Sequence, residues 1–272
     1  MAVVGSFKTG DAERDSNKSS NLARAGYCAE YFSLLLIVIV LWSALDRSGR
    51  LNPVIMPSLS KIWQTFLDLL TKGSLLKNAW ISIARVLKGF LVASALGIVL
   101  GILIGLSRHL MRITKLFIQI IKPIPPIAWI PLVILWFGIG ESGKVYLIFL
   151  GGFFTILVNV IDGIRQADKK LEEVSLVNET PVLKHIFMVI IPGAAPNIFT
   201  GLRTGLSGCW MTVVAAELVS STTGLGYLIM NARQYGKTDV VIMGMLTIGL
   251  VGKIMDSVLK AVEKNVVRWS YA

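Results

Sequence analysis

Long runs of uncharged, apolar residues constrain this chain more than any other feature of its sequence. A helix needs about 20 apolar residues to cross the hydrocarbon core of a bilayer. Because unpaired backbone groups are costly in lipid, and because these runs are continuous rather than alternating, they predict helices and not barrel strands. The sequence therefore predicts an all-α integral membrane protein with six transmembrane helices. The six apolar runs are centred on 31–45, 89–107, 123–140, 145–161, 204–232 and 240–259.

The composition agrees with a membrane protein. Charged residues make up 16% of the chain, whereas a typical soluble domain carries roughly 25%, and the mean hydropathy is +0.69. Lys and Arg number 27 against 16 Asp and Glu. These basic residues are spread between the apolar runs rather than gathered on one face with interleaved aromatics. A topology signal therefore explains them better than nucleic-acid binding does, and we expect no nucleic-acid partner.

The chain divides into four predicted regions. With a cytoplasmic N-terminus, the inner segments hold fifteen Lys and Arg residues and the outer segments hold eight, which favours that orientation. A cleaved signal peptide is the alternative for the first run, but its charged leader is long and no small-x-small site precedes Asp46. The predicted regions are a disordered cytoplasmic tail (1–23), a first transmembrane helix with outer linker (24–55), a core (56–265) and a C-terminal tail (266–272).

Prolines interrupt the third apolar run. Each interior proline removes a backbone hydrogen bond, so this run is not expected to be regular helix throughout. Broken helices often line transport paths, although these prolines could instead start a helix at the inner interface. Glu217 is the only acid in the fifth run, and it lies either against a cavity or partner or at the outer interface. The candidate residues of a translocation pathway are Pro125, Pro126, Trp129, Pro131, Trp136, Trp210 and Glu217.

Other short motifs give no sign of catalysis. Residues 138–145 nearly match a phosphate-binding loop, but Val145 replaces the hydroxyl residue that would hold Mg²⁺, and the required strand is missing. Two distant cysteines and two separate histidines form no metal-ligand cluster. We therefore predict a protein that is not an enzyme and that binds neither a metal nor a cofactor itself. Gly97, Gly101 and Gly105 have the spacing that lets two membrane helices pack closely.

Residues 162–203 form the only large polar segment between spans on the predicted inner side. Thr180 can cap a helix that begins with Pro181, and Asn178 can end the helix before it. The apolar residues that follow recur at helical spacing. This loop therefore predicts a helix–turn–helix that offers a compact docking surface to another subunit.

The same loop resembles the EAA loop of permease subunits from binding-protein-dependent ABC importers. Glu173 matches the glutamate of the family's E-A-A pattern, and Val174 and Ser175 occupy the positions of the two alanines. Pro192 matches the proline that follows this pattern in the family. Glu179 occupies the position of the family glycine, which is a clear departure. Four further stretches resemble the nitrate/sulfonate/taurine-type branch of these permeases: Pro57–Phe90, Lys122–Gly140, Phe199–Arg203 and Ala215–Leu218.

This resemblance implies a type I ABC importer permease in a bacterial or archaeal plasma membrane. It implies a second permease copy, most simply a homodimer, ATPase subunits that hold ATP and Mg, and an extracytoplasmic solute-binding protein. The solute would be small, either sulfonate-, taurine-, nitrate- or bicarbonate-like or another small organic compound. The residues implied at the ATPase-coupling loop are Glu172, Glu173, Val174, Ser175, Asn178, Glu179, Thr180, Pro181, Leu183, Lys184 and Pro192.

A self-contained, ion-coupled secondary transporter or channel is the alternative. It would use Glu217, or the Lys253 and Asp256 pair, for ion coupling and would need no cytoplasmic partner. The docking-shaped inner loop and the scarcity of charge within the spans favour the importer.

Overall fold

The computed structural model describes residues 33–48, 52, 55–166 and 180–267. For residue 182 it describes the backbone alone. Within these ranges the regular structure is helical and no strand occurs. The helices are α1 (33–47), α2 (Leu59–Thr71), α3 (Ser74–Leu106), α4 (Arg108–Ile121), α5 (Ile130–Phe137), α6 (Glu141–Arg165), α7 (Val182–His185), α8 (Ile191–Ser220), α9 (Leu225–Gln234) and α10 (Thr238–Val266). A 3₁₀ turn (Pro126–Trp129) precedes α5, and a π-helical turn (Ile186–Ile190) joins α7 to α8.

Contacts divide the chain into two compact units, Met1–Trp63 and Gln64–Ala272. In the first unit, the indole Nε1 of Trp42 in α1 donates a hydrogen bond to the carbonyl of Pro57 (3.3 Å). The second unit contains the long apolar helices. The region boundaries predicted from the sequence remain predictions.

Four of the described helices are long and apolar enough to cross a membrane: α3, α6, α10 and the continuous stretch Leu183–Ser220. A fifth crossing exists if α4 and the segment Pro126–Phe137 count as one span, with a bend of 86° between them. The predicted all-α membrane fold is therefore confirmed. The count of six spans and the cytoplasmic N-terminus remain predictions.

The bend lies where the prolines cluster. The α4 helix ends at Ile121, and regular α-helix resumes only at Ile130, after a 3₁₀ turn. Pro125 has extended backbone angles (φ −59°, ψ 138°), and its carbonyl accepts a hydrogen bond from the amide of Ala128 (2.9 Å). The prolines remove amide donors, so the interruption of the helix has a local cause.

Glycines bring α3 and α6 into contact along most of their length. A Cβ built on Gly101 would lie 2.7 Å from the side chain of Val160, so the two backbones could not approach this closely with any other residue there. The contacting pairs advance together along both helices, which shows that α3 and α6 run parallel and end on the same side. These pairs are Gly89 with Ile148, Gly97 with Ile156, Gly101 with Val160, and Gly105 with Ile164. The predicted packing role of the α3 glycines is confirmed.

Helix α8 packs against α6 in the same way but runs antiparallel to it. Helix–helix attraction in lipid rests on close van der Waals packing, and small residues permit it. Helix α6 contacts α3 along one side and α8 along another. These three helices therefore form the centre of the second unit. The pairs along this contact are Gly151 with Thr212, Gly152 with Cys209, Asn159 with Gly201, and Gly163 with Asn197.

Replacing Gly101 by leucine should weaken this centre. The new side chain would have to push α3 away from Val160, and overpacking of this kind costs about 1–3 kcal/mol. The measurement is the midpoint of unfolding when the purified protein in detergent is titrated with SDS, monitored by near-ultraviolet circular dichroism. Gly249→Leu in α10 is the matched control, because no neighbouring atom of the described chain lies within 4 Å of a Cβ built there. Equal sensitivity of the two variants would contradict the packing account.

Candidate functional site

Arg85 lies at the centre of an ionic cluster that joins α3, α6 and α8. Its side chain is 5% exposed. Nε and Nη2 donate to the two carboxylate oxygens of Glu141 (2.7 and 2.6 Å), and Nη1 donates to Glu217 (2.7 Å). The carbonyl and hydroxyl of Thr223 accept two further hydrogen bonds (2.7 and 2.9 Å). All the donor groups of the guanidinium therefore point at acceptors within one protomer.

Glu217 is the most deeply buried charged residue of this cluster, at 1% exposure. Besides Arg85, it accepts hydrogen bonds from the hydroxyl of Ser82 (2.8 Å) and from the amide of Gly226 (2.9 Å). Gly224 has a φ of 111°, and a Cβ there would collide with the Glu217 carboxylate. Glycine is therefore required at 224 both by the backbone conformation and by the close approach of the carboxylate.

Lys144 completes the cluster. Its ammonium donates to Glu141 (3.0 Å) and to the hydroxyl of Ser221 (3.2 Å). Two cations thus face two carboxylates, and the formal charge of the cluster is zero. Uncompensated charges are expensive away from water, so the buried Arg85, Lys144 and Glu217 depend on their ionic partners, whereas the Glu141 side chain is 62% exposed. We call Ser82, Arg85, Glu141, Lys144 and Glu217 the polar clamp.

The structure places Glu217 inside the protomer, and this side chain is not at an open outer interface. Sequence reasoning missed its ionic partner Arg85, which is 132 positions away along the chain. One signal for Arg85 was available. Ser82 and Arg85 are three residues apart on α3, which places them on the same helical face within an otherwise apolar stretch.

A second ionic contact joins α8 to α10. Arg203 donates from Nε and Nη2 to Asp256 (both 3.1 Å) and from Nη1 to Glu263 (3.4 Å). Local spacing suggested instead that Asp256 pairs with Lys253, but no ion pair between those two occurs in the part of the chain that is described. The guanidinium on the neighbouring helix offers a two-pronged geometry that an exposed lysine on the same helix does not.

Some of the predicted pathway residues line one small cavity. Pro125, Pro126 and Trp129 border a space of about 200 Å³ between the bend and α6, together with Lys122 and Thr155. We call this space the proline cavity; it gathers three of the five predicted pathway residues of the third run.

The other candidates lie elsewhere. Pro131 and Trp136 are exposed on α5, with Trp136 at 54%. Trp210 is buried against α10, where its indole Nε1 donates to the carbonyl of Ile248 (3.1 Å) and its ring packs on Gly252. The structure therefore separates Trp210 and Glu217 from the proline cavity, and their assignment to a pathway remains only a prediction.

The predicted coupling loop is described in part. Thr180 and Pro181 precede α7, and the carbonyl of Pro181 accepts a hydrogen bond from the amide of His185 (3.0 Å). Leu183 and Lys184 are exposed on α7, and Pro192 lies in the first turn of α8. The remaining residues lie outside the described ranges: Glu172, Glu173, Val174, Ser175, Asn178 and Glu179.

Replacing Arg85 by glutamine should destabilise the protein by about 3 kcal/mol, because removing one partner of a buried pair leaves the Glu217 charge uncompensated. Thermal unfolding in detergent measures the effect. Arg203→Gln is the matched control, since its pair with Asp256 is partly exposed and is expected to contribute about 1 kcal/mol or less. The double variant R85Q/E217Q should recover part of the loss. Equal losses for R85Q and R203Q would contradict the clamp.

Known proteins resemble this chain in sequence and in fold. A family model described as "Binding-protein-dependent transport system inner membrane component" matches residues 96–268. A putative ABC transporter permease of Methanocaldococcus jannaschii is 42% identical, covering 87% of this chain and 90% of the relative. A putative aliphatic sulfonates transport permease of Bacillus subtilis is 38% identical (86% and 84% covered), and a taurine transport system permease of Escherichia coli is 30% identical (86% and 87% covered).

The fold has a solved counterpart. A chain of the MetNI methionine ABC transporter, solved in an inward-facing conformation, superimposes with a TM-score of 0.60 at 19% sequence identity, covering 73% of this chain and 96% of the other. The resemblance seen in the sequence is confirmed. The chain belongs to the family of binding-protein-dependent transport system inner membrane components, and it is a multi-pass permease component of an ABC importer in the plasma membrane.

Proposed function

We propose that this permease provides the transmembrane pathway of an ATP-driven importer and that its segment 162–203 docks onto a separate ATPase subunit. The ATPase would bind ATP and Mg, and a soluble binding protein would deliver the solute from outside. The observation that carries this proposal is membership of the permease family, over a match that extends through the whole inner segment.

The helix that begins at residue 182, within the inner segment, supports a docking role. Leu183 is 70% exposed, and Phe187 and Met188 are each 67% exposed. Large apolar side chains next to a polar loop are typical of a surface that another protein covers. The π-helical turn that follows, Ile186–Ile190, is a type of helix defect often found at functional positions. We propose that this exposed apolar surface and the preceding loop together form the ATPase contact.

We further propose that the pathway lies between two copies of the permease. The glycine contacts of α3, α6 and α8 leave these helices too close together for a solute to pass between them. By contrast, Pro131 and Trp136 are exposed on α5, which follows the 3₁₀ turn that borders the proline cavity. A second copy facing this region would enclose a path lined by the broken span.

The solute class is proposed from the relatives. Their names refer to aliphatic sulfonates, taurine and bicarbonate. We propose a small sulfonate-, taurine-, nitrate- or bicarbonate-like solute for this permease. The ion-coupled alternative draws no support from Glu217, because its carboxylate is engaged by Arg85, Ser82 and Gly226.

Replacing Glu173 and Pro181 by alanine should abolish association with the ATPase while the permease still inserts into the membrane. The loop would lose the carboxylate of Glu173, which matches the family glutamate, and the proline that directly precedes α7. The packed helices α3, α6 and α8 would be unchanged. The measurement is recovery of the ATPase with a tagged permease from membranes. K72A/L76A, at exposed positions near the start of α3, is the matched control. Normal ATPase recovery with the loop variant would refute the docking assignment.

A further inference from the structure

A basic cavity lies where α3 gives way to α4 and where α6 ends. It measures about 440 Å³, and all its charged lining residues are cations. The sequence pattern identified these residues only as a signal of orientation. We call the cavity the basic cavity; it is lined by Arg108, Met111, Arg112, Lys115 and Arg165.

Local geometry explains why four cations converge. Arg108, Arg112 and Lys115 recur at the i, i+4, i+7 spacing of one helical face of α4. Ser107 sets the start of that helix, since its hydroxyl accepts a hydrogen bond from the amide of Leu110 (3.3 Å). Because α3 and α6 run parallel, α4 begins beside the end of α6, where Arg165 is located.

These cations have no ionic partner within the described ranges. The ion pairs found there belong to the polar clamp and to Arg203. Asp162 lies one turn before Arg165, but it is exposed and does not line the cavity. Like charges that share one cavity repel each other, and an anion between them would remove that repulsion. All four cationic side chains are also exposed, so an anionic group can reach them in the basic cavity.

The opposite face of α4 indicates where that anion comes from. Leu110, Ile113, Phe117 and Ile120 are apolar and exposed, and they follow one another at helical spacing. Because α3 and α6 cross the membrane and end beside the start of α4, the basic face of α4 lies at the level of the lipid headgroups. Its apolar face suits acyl chains, while its basic face suits the headgroups beside them.

We propose that the basic cavity binds the phosphate of an anionic phospholipid headgroup. Arginine recognises phosphate through paired, charge-assisted hydrogen bonds, and basic sites between membrane helices bind acidic headgroups. This site does not depend on the proposed function, since it requires only that the chain lies in a bilayer. Arg165 is the last residue of α6, so a bound headgroup would hold that end of the helix beside α4.

Native mass spectrometry of the delipidated permease in detergent tests the proposal. Phosphatidylglycerol, phosphatidylethanolamine and inorganic phosphate are added separately. We expect selective retention of phosphatidylglycerol and a loss of about 5-fold in affinity for each cation removed, as in R112Q and R112Q/R165Q. R112K/R165K should retain most of the binding. K72Q/K77Q, which removes two exposed cations near the other end of α3, is the matched control and should bind as the unaltered protein does.

Three results would overturn the proposal. The first is equal retention of phosphatidylglycerol and phosphatidylethanolamine by the unaltered protein, a comparison that needs no variant to fold. The second is an equal loss in the K72Q/K77Q control. The third is binding of inorganic phosphate that is lost in R112Q while phosphatidylglycerol binding is unchanged, which would identify a site for a free anion instead.

Discussion

The close backbone contact between α3, α6 and α8 is the interaction on which the rest of this structure depends. In lipid, apolar side chains gain nothing by leaving their surroundings, so helices associate where small residues allow dense packing. Glycines supply that contact on α3, α6 and α8. The same parallel register that pairs Gly89 with Ile148 also brings Arg85 next to Glu141 and Lys144. The glycine contacts therefore bring Arg85 to its partner on α6, whereas Lys144 and Glu141 pair within α6 itself.

The polar clamp in turn joins these helices at one end of the bundle. Its two cations and two carboxylates compensate each other, and Ser82 and the backbone around Gly224 satisfy the remaining acceptors. A packed core with compensated charges resists gradual deformation and moves as a unit. This property suits the proposed importer mechanism, in which nucleotide binding in the ATPase drives a rigid-body change between two arrangements of the permease.

Features encoded by local spacing could be predicted from the sequence, and features that depend on distant helices could not. The long apolar helices, the break at the prolines and the glycine packing all follow from residues close together in the chain. Glu217 was recognised as unusual, but its partner Arg85 is 132 positions away and only the folded register reveals it. Asp256 was assigned to Lys253 because that pair has helical spacing, whereas its actual partner is on α8. The basic cavity likewise needs the parallel arrangement of α3 and α6 to bring Arg165 to α4.

The central claim is that this chain is the membrane pathway of an importer driven by a separate ATPase. The most direct measurement is uptake of labelled taurine or an alkanesulfonate into proteoliposomes that contain the permease, its ATPase and its binding protein. The account predicts accumulation only when ATP, the ATPase and the binding protein are all present. Accumulation by the permease alone, driven by an ion gradient, would contradict it.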